Sequence, residues 1–179
     1  MLMNLRPHRL RLILLAAVVA IAALASGSAT RADASTQLIN AGSIEFGPPT
    51  QAMEVVPDGT DRVFLQPSNP QSFRQQWQKE PVVNGQSRYR NKATNKCLIV
   101  PPVAGANDDL LVGPCSGVGA RNLWTRKNVV VGNGAFMLVS AHSGLVPFPN
   151  WFGDPGNVLK LIPEDAAALF GSWAEYVGA

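Results

Sequence analysis

Tryptophan recurs along this chain at Trp77, Trp124 and Trp173, at intervals of 47 and 49 residues. A period of that size means that one structural unit is repeated, and that the copies must bury their apolar faces against one another. With the tryptophans as anchors, "RYRNKATNKCLIV" (88–100) lines up with "AFMLVSAHSGLVP" (135–147) and, less clearly, with "SIEFGPPTQAMEV" (43–55). "VFLQPS" (63–68), "LLVGPC" (110–115) and "LKLIPE" (159–164) align next, each with proline in its fifth place, followed by "QQW", "NLW" and "GSW". The unit is an apolar strand, a long turn, a second apolar strand ending before proline, and then x-x-Trp.

The apolar runs within each unit are short: Glu54–Val56, Val63–Leu65, Leu98–Val100, Leu110–Val112, Val129–Val131, Phe136–Val139 and Val158–Ile162. They are separated by turn signals such as Pro57-Asp58-Gly59, Asn84-Gly85, Gly132-Asn133-Gly134 and Asp154-Pro155-Gly156. Short runs between Gly, Pro, Asn and Asp are the pattern of many short strands. Only the Ala-rich stretch 164–170 has the makings of a helical turn or two. The chain reads as all-β.

The first 34 residues read differently. Arg6, Arg9 and Arg11 precede an apolar run from Leu12 to Ala25, the layout of a secretory signal peptide. The run is shorter than the ~20 residues a membrane span needs, so a cleaved leader is favoured over an uncleaved anchor. Two small-residue cleavage patterns follow, Ala23-Leu24-Ala25 and Ala32-Asp33-Ala34, and the second leaves a mature chain starting at Ser35. The expected organisation is therefore a leader over 1–34 and one domain over 35–179, secreted and free of the membrane once cleaved. The leader takes with it four of fifteen Lys/Arg and one of twelve Asp/Glu, leaving eleven of each and no net charge. A domain-wide basic field for nucleic acid is thereby excluded. The local cluster Arg88, Arg90, Lys92 and Lys96 is interrupted by Tyr89 and Asn91 and reads as a solvated strand face.

The central repeat, with Asn91-Lys92-Ala93-Thr94-x-Lys96-Cys97-Leu98, then Gly113-Pro114-Cys115, then Leu123-Trp124, resembles the ricin B-type lectin domain. That family is a β-trefoil of three repeats with a Gln-x-Trp signature. The resemblance covers about residues 38–178 and implies a pseudo-threefold barrel closed by hairpins, with one shallow sugar pocket per repeat. It also implies where each pocket's parts should lie. An acidic residue sits two places after the first cysteine position, an aromatic just before the proline, and a polar pair before x-Trp. The chemistry suits a pyranose, whose apolar face takes an aromatic ring and whose hydroxyls take carboxylate and amide. In the first repeat these places hold Glu54, Gln66, and the pair Arg74 and Gln75. In the second they hold Ile99, Gly113, Arg121 and Asn122, and in the third Val146, Ile162, Phe170 and Gly171. No aromatic is kept, only the first repeat keeps a carboxylate, and all three sites read as degenerate.

Cys97 and Cys115 lie eighteen positions apart around the long turn of the central repeat. In an exported protein such a pair is expected to close a disulfide, contributing about 3 kcal/mol by loop entropy. The other repeats have Ala52 and Ser68, and Gly144 and Glu164, in those places. A metal role for the cysteines is disfavoured because zinc would want two more ligands and the mature chain has only His142. No cofactor is implied. The three periodic tryptophans are assigned to the core. Trp151, the one tryptophan off the period, lies in "PFPNWFGDPGN" (147–157) with Phe148, Phe152, Asn150 and Asp154. Exposed, Asn150, Trp151 and Asp154 have the parts to bind a sugar or anchor a protein partner; folded over the barrel opening, the loop instead buries its tryptophan. No catalytic set can be assembled around the lone His142, and Asp108-Asp109 reads as a solvated turn, so no enzyme is expected.

The expectation is a secreted β-trefoil that binds carbohydrate through degenerate sites or, alternatively, a protein-interaction module such as an inhibitor or toxin subunit. On expression through a secretory pathway, intact mass should match a chain beginning at Ser35 and short of two hydrogens for one disulfide. A mass that retains residues 1–34 would contradict the cleaved leader.

Overall fold

The structure is a computed structural model and describes residues 35–40, 50–128, 134–150, 157–167 and 171–176. By its internal contacts the chain divides into Met1–Arg31 and Ala32–Ala179, and every described residue belongs to the second unit. The expected leader thus lies outside the described residues.

Three sets of four strands follow one another. The first is β1 (Thr36–Asn40), β2 (Gln51–Val55), β3 (Val63–Pro67) and β4 (Gln76–Pro81). The second is β5 (Gln86–Asn91), β6 (Cys97–Ile99), β7 (Leu111–Gly113) and β8 (Trp124–Asn128). The third is β9 (Phe136–Ser140), β10 (Leu145–Pro149), β11 (Leu159–Pro163) and β12 (Trp173–Tyr176), with a one-turn helix α1 (Glu164–Ala167) between the last two.

The outer strands of each set pair in the order β1, β4, β5, β8, β9, β12 and back to β1, all antiparallel, so the wall closes on itself. Closure leaves no open edge along this ring. Each periodic tryptophan stands at one of its seams. Trp77 is paired with Thr36 and Asn91, Trp124 with Ser87 and Ser140, and Trp173 with Phe136 and Asn40. All three indoles are fully buried. Two of them also fasten the wall to the inner hairpins, Trp77 Nε1 donating to the Met53 carbonyl (3.2 Å) and Trp124 Nε1 to that of Leu98 (3.0 Å).

The inner strands form three hairpins, β2–β3, β6–β7 and β10–β11. Their second strands touch in a ring: Val63 N donates to Leu110 O (2.9 Å), Leu110 N to Leu159 O (2.8 Å), and Leu65 N to Asn157 O (2.8 Å). A six-strand barrel carrying a three-hairpin cap is the β-trefoil that the repeats imply. The turns carry their own chemistry. Asn84 (φ 57°) and Gly85 (φ 74°) give the β4–β5 hairpin the left-handed pair that matches strand twist. Asn91 Oδ1 accepts from the amides of Ala93 and Thr94, and Ser140 Oγ from those of His142 and Ser143, so equivalent side chains start equivalent turns.

Of the wall strands only β9 was legible as an apolar run; in β5 one face is polar, half-buried and buried residues alternating along Gln86–Asn91 with Ser87, Tyr89 and Asn91 inward. Arg88 and Arg90 on its outer face are ion-paired with Glu80. The register also corrects the alignment of the third repeat by two residues. Gln66, Gly113 and Ile162 oppose Ala52, Cys97 and Val146. Val146 therefore takes the place expected for Gly144, and the place expected for Val146 is held by Phe148. Phe148 is not in a turn; it lies in β10 opposite Lys160. The two prolines of β10 are tolerated because this strand pairs only with β11, in a two-stranded sheet. The expected disulfide joins Cys97 and Cys115.

Two residues beyond each tryptophan, the barrel sets Lys79, Arg126 and Glu175 at equivalent places. Glu175 accepts from Arg126 (3.0 Å) and lies 3.9 Å from the Lys79 ammonium. The Arg126 guanidinium also covers the Phe136 ring, 3.7 Å from its centroid. Tyr89, opposite Lys79, is fully buried and its hydroxyl has no hydrogen-bond partner among the described residues. Burial, reinforced by the Glu175 charge and opposed by Arg126, raises its phenol well above the ordinary range. The folded chain then holds the phenol proton more tightly than the unfolded chain, so stability present below about pH 10 falls as pH rises past that unfolded-state value. Urea midpoints at pH 9 and pH 11 should show this loss, and Tyr89→Phe should remove most of it.

Candidate functional site

In the first repeat a 3-10 turn (Phe73–Gln75) lies against β2 and brings Gln75 to Glu54, with Gln66 on the same face of the β2–β3 hairpin and Arg74 next to Gln75 on the turn. Gln75 is buried and fully engaged. Its Nε2 donates to Glu54 Oε2 (2.7 Å) and Pro67 O (2.9 Å), and its Oε1 accepts from Gln37 Nε2 (2.7 Å) and the Asn69 amide (2.6 Å). Gln37 in turn accepts from Ser68 (3.1 Å). Gln75 is thus a scaffold residue that aims a carboxylate, rather than a free ligand contact. Glu54 is half-buried, and its second oxygen takes no hydrogen bond among the described residues. Gln66 is half-buried beside it, two residues from Phe64 on the same face of β3, and Arg74 is exposed.

Sequence reasoning missed two aromatics here. Phe64 stands directly opposite Glu54 in the β2–β3 register, although it is only 6% exposed. Phe73, on the 3-10 turn, is 56% exposed. The signal for Phe64 was strand alternation, which puts the residue two before Gln66 on the same face. Nothing in the repeat pattern marked Phe73.

The corresponding places in the other repeats are filled. In the second, Ile99 occupies the acidic place, and a Cβ added at Gly113 would stand 2.4 Å from Ile99 Cδ1, so the aliphatic chain covers the site of the missing aromatic. Arg121 turns inward, donating from Nε to Val100 O (2.9 Å), and Asn122 donates to Cys115 O (2.8 Å). In the third, Phe148 holds the acidic place. Gly171 packs so closely on α1 that a Cβ there would lie 2.7 Å from the Ala167 Cβ. Phe170 lies outside the described residues.

Of the loop candidates, Asn150 follows β10 and is half-buried, while Trp151 and Asp154 lie outside the described residues. Among the described residues no group of three or more His, Cys, Asp or Glu is placed to hold a metal ion, and no helix is long and apolar enough to cross a membrane.

No protein-family model matches the sequence. No curated protein matches it either. Solved structures do match in fold. The designed threefold-symmetric protein ThreeFoil is similar with a TM-score of 0.66 at 18% identity, over 79% of this chain and 97% of that one. A ricin B-like lectin from Macrolepiota procera, solved in complex with lactose, has a TM-score of 0.64 at 12% identity, over 82% and 97%. The Haemophilus ducreyi cytolethal distending toxin has a TM-score of 0.62 at 15% identity, over 84% and 87%. These likenesses show a β-trefoil fold.

Because Gln75 satisfies four partners, Gln75→Leu should destabilise the fold by roughly 2–4 kcal/mol, leaving the Glu54 carboxylate and the Gln37 amide without their partner. Arg74→Ala should stay within about 0.5 kcal/mol, as for other exposed positions. Urea denaturation of the two variants checks the contrast, and equal losses would contradict it.

Proposed function

We propose that the chain is a secreted, single-domain carbohydrate-binding protein whose first repeat carries the working site. The observation that carries this reading is the Glu54 carboxylate, held from one side by Gln75 with its other oxygen taking no hydrogen bond among the described residues, in the one repeat that keeps an acidic residue at that place. A carboxylate oriented in this way accepts bonds from adjacent sugar hydroxyls, while Gln66 supplies a second polar contact. The lectin solved with lactose supports the reading at the level of fold. The proposal assigns no catalytic step and no cofactor, and with no net charge on 35–179 it assigns no nucleic-acid partner.

A second reading, a protein-interaction module, is favoured by the exposed Phe73 and by the likeness to a toxin structure. A glycan array combined with pull-down on insoluble polysaccharides separates the two. Saturable, sugar-competed binding is expected. Glu54→Gln should weaken it by about 1.5–3 kcal/mol, roughly ten- to a hundredfold, since a charged acceptor is lost while shape is kept. Unchanged affinity in folded Glu54→Gln would remove the first-repeat pocket, and the lack of any sugar-competed signal would favour the interaction module.

A further inference from the structure

We infer that the first-repeat site selects glycans carrying an anionic group, a carboxylate or a sulfate on the pyranose ring; the inference rests on the carbohydrate-binding reading above. In the first place of the polar pair before x-Trp the first repeat has Arg74. It is exposed, and its guanidinium makes no hydrogen bond or ion pair among the described residues. Beside it the Phe73 ring is 56% exposed, with the Lys92 ammonium 4.3 Å from its centroid. Lys92 donates to Gln76 Oε1 (3.0 Å) and is ion-paired to no described acid. The backbone fixes the group: Lys92 N donates to Gln76 O (2.9 Å), and Asn91 Nδ2 to Arg74 O (2.8 Å).

Most cations among the described residues are neutralised, and Arg121, which has no ion pair, is spent on the Val100 carbonyl. Arg62, Lys79, Arg88, Arg90, Lys96, Arg126, Lys127 and Lys160 are each ion-paired with a described Asp or Glu. Arg74 and Phe73 thus lie on the same 3-10 turn as Gln75, which holds Glu54, and Lys92 stands over the exposed Phe73 ring. Glu54 is left to take hydroxyls, and Arg74 and Lys92 to take the acid. A guanidinium binds carboxylate or sulfate through two parallel N–H donors, and the ring offers an apolar face to the sugar's C–H bonds.

Affinity electrophoresis of the full domain at 0.15 M salt, through gels containing polygalacturonate, dextran sulfate or neutral dextran, tests this. Retardation by one or both anionic polymers and not by dextran is expected, the two polymers reporting which anion is preferred. Arg74→Ala should weaken that retardation about tenfold or more, Arg74→Lys less, and Lys127→Ala, on β8, not at all. Equal loss in Lys127→Ala, equal binding to dextran, or competition by polyglutamate as strong as by the polymer itself would overturn the inference. Binding to neutral glycans alone would overturn it while leaving the carbohydrate reading intact, and binding to no glycan would overturn both.

Discussion

The three buried indoles are the interaction on which the remaining architecture depends. Each lies at a seam of the barrel, paired across the backbone to the first strand of its own repeat on one side and to that of the next repeat around the ring on the other. Two also reach the hairpin layer through an N–H bond to a carbonyl. A tryptophan buries more apolar area than any other side chain could at that place, and its one polar atom can still be satisfied. The third repeat departs from this arrangement, since the Trp173 N–H has no partner among the described residues and the place corresponding to Met53 and Leu98 is taken by Pro147. That repeat also places Phe136 where the others have Thr36 and Ser87, with Arg126 stacked upon it. The symmetry is thus kept by the core and relaxed toward the surface.

Relaxation is also what distinguishes the three pockets. Packing in a small barrel leaves little room between hairpin and 3-10 turn, so any apolar or absent side chain there lets a neighbour move in. Ile99 over Gly113, and Ala167 against Gly171, are the two outcomes. The first repeat escapes because the place is lined by a polar chain running Ser68, Gln37, Gln75, Glu54, hydrogen-bonded end to end, with one Glu54 oxygen taking no bond among the described residues.

The period of the tryptophans was enough to read the class and the threefold plan, because the core residues that set it cannot drift without loss of packing. Register was another matter. The third repeat follows the second at the 49-residue spacing of Trp124 and Trp173, with turns of equal length from Asn91 to Cys97 and from Ser140 to Val146, so an alignment of Leu98–Val100 at the 47-residue spacing of Trp77 and Trp124 falls two residues short. Only the backbone pairing of Val146 with Ile162 fixes it. That Glu54 and Gln75 would be neighbours was legible because their spacing from cysteine position and tryptophan is part of the repeat. The burial of Gln75 was not, since a glutamine in a sequence gives no sign of whether its amide faces a ligand or its own chain. Phe73 was hidden for the opposite reason: an aromatic outside the period has no pattern to betray it.

The closing seam joins β1 to β12, the first and last strands of the domain. Sequence-distant strands are the slowest to meet, because the entropy of closing the intervening loop precedes any gain from pairing. Until Trp173 is in place, Asn40 lacks its cross-strand neighbour and the ring of strands is not closed. A nascent chain of this kind remains unfinished along almost its whole length and then closes as a unit.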